Sequence, residues 1–415
     1  MTREIQKLRI LQVHNHYAPG WGGEDTVVEL EGELLRARGH EVDTFTDSTT
    51  ALKAGPLARQ LLAVPSFLWS RHAYQGLTQK IRAFQPDVVH VHNTFPKLSP
   101  GIFWACRRSG VPVVQTLHNF RLLCANAILF RADRPCEKCV GRAPWPALRH
   151  RCYKNSLART AVIVAVGALH TTLGTYTRAV DAHIVLNDFS RRIFVRGGLP
   201  GDRLFVKPNF VPVSQLGRSG RKKQVVFAGA ITRSKGVELL LEAWRQAALA
   251  GFELLLVGDG PDRDELQRRY SGLPRVGWLG RRARSEVLEQ IAASRMLVFP
   301  SLGTENCPMV VLEALSVATP VIASNHPSLQ AMVQAGREGL LFEAGNAQAL
   351  AAALRDALLA DSETWSGWSS QARRTQTERF SEEVNYDQLV SIYQSVRLKQ
   401  PPPAADVLLV TISSR

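Results

Sequence analysis

Short runs of apolar, often β-branched residues recur along this chain, each followed by a polar loop and then by a longer segment of helical periodicity. Residues 8–13 (LRILQV), 41–45 (EVDTF), 87–92 (DVVHVH) and 112–117 (PVVQTL) read as strands, with a helix at about 25–38. The pattern breaks over 121–160, which is rich in Cys, Arg and Pro, and resumes at 182–186 (AHIVL). A second series follows, with strands at 224–228, 252–257, 296–300 and 320–323 and helices near 236–250, 261–270, 284–293 and 309–318. Strand–helix alternation predicts parallel sheets covered by helices on both faces, here as two doubly wound α/β domains. The polar stretch 213–223 is the natural joint. The expected division is 1–205, carrying the irregular insert 121–160, then 206–380, then a helix at 381–400 crossing back to the first domain. Pro401-Pro402-Pro403 ends that helix, leaving a tail over 401–415.

Composition adds a location for charge. The chain has 415 residues and a net charge of +15. Residues 1–210 hold 28 Lys and Arg against 15 Asp and Glu, so nearly all the excess lies in the first half. An anionic partner is expected there: a polyanion, a phosphate-bearing substrate or an anionic inner-membrane surface. The basic residues match no nucleic-acid reading module, so nucleic acid is not an expected partner. A polar N-terminus, six cysteines and no apolar run near the ~20 residues of a membrane span predict a cytoplasmic protein, with peripheral attachment to a membrane open.

In open α/β sheets, ligands bind beyond the carboxyl ends of the strands, so the loops there hold the candidate chemistry. Gly20-Trp21-Gly22-Gly23 follows the first strand and opens a helix, where backbone can approach a ligand closely; a plain turn fits equally well. In the second half, Gly229 ends a strand and Lys235-Gly236 opens the next helix, a phosphate anchor or a solvated surface lysine. The strongest feature is residues 301–315 (SLGTENCPMVVLEAL). Glu305 lies in a loop and Glu313 in the following helix, so the carboxylates should stand roughly 8–12 Å apart, suited to two separate hydroxyl-bearing groups. Glu313 lies among Val310, Val311, Leu312, Ala314 and Leu315, and a partnerless buried carboxylate there would favour a ligand role.

Glu305 and Glu313 form an E-x7-E motif, and the chain around it resembles the retaining sugar-nucleotide glycosyltransferases of family 4. The resemblance also rests on Gly22-Gly23, residues 87–93, Thr116-Leu117-His118-Asn119, Pro208-Asn209-Phe210-Val211, Ser234-Lys235-Gly236, Val257-Gly258-Asp259-Gly260-Pro261, Val276-Gly277-Trp278-Leu279-Gly280 and Thr319-Pro320-Val321-Ile322-Ala323. These nine stand in the family's order over most of the chain.

The resemblance implies a GT-B fold, two Rossmann-like domains facing across a cleft, and transfer of a sugar from a UDP-, GDP- or ADP-sugar to an acceptor hydroxyl. It implies that Glu313 binds ribose hydroxyls and Glu305 the donor sugar. Lys235 and the backbone near Met309 and Val310 would hold the diphosphate, Gly229, Asn306 and Cys307 would also belong to the donor site, and Gly277, Trp278 and Leu279 would border the base. His118 would face the donor sugar, and Gly22-Gly23 would lie under the leaving phosphate. Glu24, His16, Asn119 and Arg121 would line the side of the acceptor, a glycan or lipid-linked saccharide. The family's diphosphate-contacting Arg is replaced by Ala230, with Arg233 the nearest substitute. A helix N-terminus and a lysine stabilise a departing phosphate without a metal, so no catalytic metal is expected. An epimerase of the same fold and a degenerate polyanion-binding scaffold are the rival readings.

The insert departs from the minimal family pattern. Cys124, Cys136, Cys139 and Cys152 have spacing C-x11-C-x2-C-x12-C, which fits a structural zinc site, reduced spectator thiols or a disulfide. Nine Lys and Arg between Arg121 and Arg159, next to an apolar helix candidate at 157–173, read either as a membrane-facing surface or as a solvated basic face beside a core helix.

Overall fold

The computed structural model of the protein describes residues 7–16, 22–48, 64–216 and 220–398. Residues 19–21 of the glycine loop and the 401–415 tail lie outside the described residues. The first sheet contains β1 (Arg9–His16), β2 (Glu41–Ser48), β3 (Val88–Asn93), β4 (Val113–Thr116), β5 (Ala182–Val185) and β6 (Leu204–Val206), in the order β2-β1-β3-β4-β5-β6. The second contains β7 (Lys222–Ala228), β8 (Glu253–Val257), β9 (Val276–Gly280), β10 (Ser294–Phe299), β11 (Val321–Ser324) and β12 (Gly339–Phe342). Its order, β9-β8-β7-β10-β11-β12, is the 3-2-1-4-5-6 arrangement of dinucleotide-binding sheets. All pairings within both sheets are parallel.

Parallel strands buried on both faces need apolar residues on each, and the second sheet supplies them. Val225 and Phe227 pack into one core with Leu240, Leu241 and Trp244 of the helix Val237–Ala247, and Val226 and Ala228 pack into another with Val311, Leu312 and Leu315. The first sheet does this only in part. On β3, Val89 and Val91 face an apolar core, but His90 and His92 occupy the opposite face at zero and 4% exposure.

That face is covered by the last helix, Glu382–Leu398, which leaves the second domain and lies on the first. Its Tyr386, Leu389, Val390, Ile392 and Tyr393 join Leu8, Ile10, Leu34 and Leu35 in one core. Five large side chains buried at about 1.5–3 kcal/mol each contribute on the order of 10 kcal/mol as an upper estimate, so the helix is an integral part of the first domain. Tyr393 Oη and His90 Nδ1 are 2.7 Å apart, satisfying one buried histidine.

Candidate active site

The site is built where strand ends of the two sheets meet. Gly22 precedes α1 (Gly23–Ala37), and Pro308 precedes α2 (Met309–Ser316). A Cβ added at Gly23 would stand 3.1 Å from Met309 Cγ, so the two helix N-termini, one from each domain, converge on the cleft. Their unpaired N–H groups and dipoles create a local preference for anions.

Beside them, Lys235 Nζ donates to Glu305 Oε1 at 2.7 Å, and Ser301 Oγ donates to the same oxygen at 2.7 Å. Local backbone enforces this meeting. Leu302 N and Gly303 N both donate to Ser234 O, at 2.8 and 3.1 Å, tying the two loops together. Gly236 has φ +72°, and a Cβ there would lie 2.0 Å from the Pro300 carbonyl oxygen, so only glycine permits the approach.

Glu313 is 8% exposed. The sequence alone left it without a partner, but Arg284, the first residue of the helix Arg284–Ala293, donates from Nε to Glu313 Oε1 at 2.8 Å. The arginine supplies the partner a buried carboxylate needs, so the burial of Glu313 does not by itself demand a ligand. Arg284 carried no sequence signal beyond a basic loop after β9. On β9, the edge strand of this sheet, Trp278 and Leu279 pack against opposite cores and Gly277 is in register with Leu255 of β8.

Several expected donor contacts have other partners. Asn306 is committed between domains: its Nδ2 donates to His118 O at 2.7 Å, and its Oδ1 accepts from Ser190 Oγ at 2.7 Å. Asn187 Nδ2 donates to Asn306 O at 2.6 Å. The Cys307 side chain turns into the apolar core, where burial pushes its thiol up to about 12, and Asn209 Nδ2 donates to its carbonyl at 3.1 Å. Arg233 Nε lies 2.7 Å from Asp133 of the insert, which offsets its charge before any diphosphate arrives. Ala230 supplies no cation.

On the facing wall, His118 Nε2 and His92 Nδ1 are 3.0 Å apart with their rings stacked. Burial holds both imidazoles well below their usual range, and the nearby His14, His90 and Lys207 add to this, so the pair is neutral at pH 7. Asp25 Oδ1 accepts from His14 Nε2 at 2.6 Å and His16 Nδ1 at 2.8 Å. Burial would raise Asp25, but these two bonds outweigh it and hold it below the ordinary carboxylate value. Arg121 is held over the Phe95 and Tyr153 rings at 4.6 and 5.2 Å and donates to Ala125 O, away from an open acceptor role.

Glu24 lies on the same wall, beside Asn119. Asn119 Nδ2 donates to its Oε1 at 2.7 Å, while its Oε2 is buried with no hydrogen-bond partner. Burial raises its pKa to about 7; Asp25 adds to this, against the opposing Asn119 bond and Arg121 charge. The folded state then holds a proton that the unfolded chain releases near 4.5, so Glu24 weakens the fold as pH rises from 4.5 through 7. Glu24→Gln should therefore raise Tm at pH 8 and leave it unchanged at pH 4.5. Equal Tm changes at both pH values would remove the assignment.

Two facing Rossmann-like domains with paired glutamates, a lysine and two helix N-termini in the cleft define a GT-B enzyme of the nucleotide-sugar class. Residues 222–360 match the family model described as glycosyl transferases group 1, and residues 21–215 match the model for glycosyltransferase family 4. The chain belongs to this family and is a glycosyltransferase. A D-inositol 3-phosphate glycosyltransferase of Rhodococcus jostii is 27% identical over 94% of the chain and 89% of its own length. A phosphatidyl-myo-inositol mannosyltransferase of Mycobacterium leprae is 26% identical, over 90% and 93%. Among solved structures, Anabaena HepE in complex with UDP and glucose is 18% identical and superposes with a TM-score of 0.64, covering 94% of this chain and all of its own.

Proposed function

We propose that this enzyme moves a hexose from a UDP-sugar to a hydroxyl of a lipid-linked or surface saccharide, with retention at the anomeric carbon. The observation carrying this reading is the Lys235–Glu305 pair beside two converging helix N-termini. Breaking the bond between sugar and diphosphate builds negative charge on the β-phosphate and positive charge on the sugar ring. The N–H groups at Met309 and Gly23, with the Lys235 ammonium, would stabilise the first. Glu305 would release part of its hold on Lys235 and accept from donor-sugar hydroxyls, and Glu313, held by Arg284, would take the ribose hydroxyls. The acceptor oxygen attacks from the face the phosphate leaves, and the departing phosphate oxygen takes its proton. Neutral His118 would donate a hydrogen bond to the sugar, its tautomer fixed by His92. UDP rather than another nucleotide is suggested by the HepE complex.

Incubation with UDP-, GDP- and ADP-hexoses tests this. Slow hydrolysis of one UDP-hexose is expected, with a rise in Tm for UDP alone and loss of turnover in Glu305→Ala. Absence of both binding and turnover across the panel, with Glu305→Ala matching wild type, would favour a scaffold.

The acceptor's membrane belongs to the same reading. No helix among the described residues is long and apolar enough to cross a membrane. The helix Leu157–Thr172, apolar along most of its length, is largely surface-lying: Leu157 is 52% and Leu169 36% exposed, with Trp145 nearby in sequence at 73%. Arg149, Arg151 and Arg159 accompany them, a combination that suits an anionic leaflet. Sedimentation with phosphatidylglycerol vesicles, reduced severalfold by Leu157→Asp/Leu169→Asp, is the expected result; equal sedimentation would exclude this surface.

A further inference from the structure

We propose that the 121–160 insert is a zinc module, held by Cys124, Cys136, Cys139 and Cys152, that fixes a flap against the donor-binding domain. The four thiols, dispersed over 29 residues, line one cavity of about 20 Å³ together with Arg131, Lys138 and His150. All four are free cysteines. A volume of that size accommodates one atom of water or ion dimensions. No three of the sulfurs lie within 4.8 Å of one another. Ligation at the ~2.3 Å of a zinc–thiolate bond would therefore draw the loops inward by an ångström or so.

Two features apart from the cysteines support an ion. A zinc bound by four thiolates carries a net charge of −2, and the cavity wall provides cations to meet it. One of them, the Arg131 Nε, is buried without a hydrogen-bond partner. The second is the insert's architecture. Its only regular elements among the described residues up to residue 156 are two two-residue strands, Phe130–Arg131 and Arg134–Pro135, and the five-residue helix Trp145–Arg149. Ala127, Leu129, Ala132, Asp133, Arg151, Lys154 and Asn155 all take left-handed backbone, against five other non-glycine residues in the rest of the described chain. Such conformations persist where surrounding structure over-determines them. Leu129 and Val140 anchor part of the insert in the core of Val185, Ile193 and Phe194, but around Cys139 and Cys152 the apolar cluster is only Ala125, Ala147 and Ile163 with a few partly buried neighbours. A tetrahedral metal joining both ends of the insert supplies that constraint.

The position gives the module a use. Asp133 pairs with Arg233 at 2.7 Å, and Phe130 Cβ lies 3.9 Å from the position of a Cβ built on Gly303. Both contacts fall on the loops that position Lys235 and Glu305, so the metal would order a flap bordering the donor site. This holds whichever sugar or acceptor the enzyme uses.

Elemental analysis of the purified full chain, expressed with zinc present, is the test. About one zinc per chain is expected, released in step with modification of four thiols by a mercurial, and lost in Cys136→Ser/Cys139→Ser but kept in Cys106→Ser. Should the double variant fail to fold, cobalt exchange into the wild type should give the visible bands of a tetrahedral tetrathiolate site. Zinc well below one per chain, whether the insert's thiols react freely with the mercurial or two of them are consumed as a disulfide, would overturn the proposal.

Discussion

Lys235→Ala is expected to lower kcat by roughly 10²–10³-fold, the cost of removing one pre-positioned donor from developing negative charge. The effect should fall mainly on kcat, because the phosphate charge it meets grows as the sugar departs. Lys235 is placed by Gly236 and by Glu305 at 2.7 Å, so the ammonium is oriented before the donor arrives. Ala230 stands where the family has a second cation, and Arg233 is paired to Asp133, so neither of these positions offers a ready replacement. Lys235→Arg keeps the charge but not the compact ammonium, and should recover only part of the rate. A kcat within threefold of wild type for Lys235→Ala, measured with saturating donor, would show that the helix N-termini suffice.

The second large effect is on stability. Lys207 and Glu31 form an ion pair at 2.6 Å with exposures of 1% and 0%, and Lys207 Nζ also donates to Asn385 Oδ1 at 3.2 Å. Glu31 Oε2 stands 3.7 Å from both His90 Nδ1 and His92 Nε2, so this pair lies directly behind the His92–His118 contact. Removing one partner strands a buried charge, at a cost of about 3–5 kcal/mol. Lys207→Met should thus lower Tm by roughly 6–20 °C. Glu31→Gln/Lys207→Met should regain much of the loss, since no charge is left unpaired. A single variant within 2 °C of wild type would mean that water reaches Glu31.

The sequence carried the architecture well where chemistry is local. Apolar runs marked the strands at 87–92, 224–228 and 252–257, and the glycines around them marked where loops approach strands. It was silent on β6, three residues long, and on β12 and the helices Ala347–Leu359 and Ser362–Arg379, which no motif punctuates. Of the site, Glu305, Glu313 and Lys235 could be singled out because motif spacing and helix position constrain them. Their partners could not. Arg284 reaches Glu313 and Asn306 reaches His118 O only through tertiary folding, across 29 and 188 residues of chain. The alternation in Val88-Val89-His90-Val91-His92 was visible, yet reading its histidine face required the helix Glu382–Leu398, three hundred residues later. Apolar composition over 161–169 suggested a core helix as readily as a surface one, because composition does not say which neighbour covers a face.

That last helix has a mechanical consequence. Because it belongs to the first domain while the preceding one belongs to the second, the chain passes between the domains twice. The two passages touch: Gln376 Nε2 donates to Val211 O at 2.9 Å, and Val211 N donates to Phe380 O at 3.4 Å. Two pins set side by side define an axle, whereas a single tether would let the halves swivel freely. Any opening of the cleft should therefore hinge at this seam, around residue 211 and residues 376–380, with the Met309–Gly23 and Asn306–His118 approaches farthest from it in chain terms and first to part.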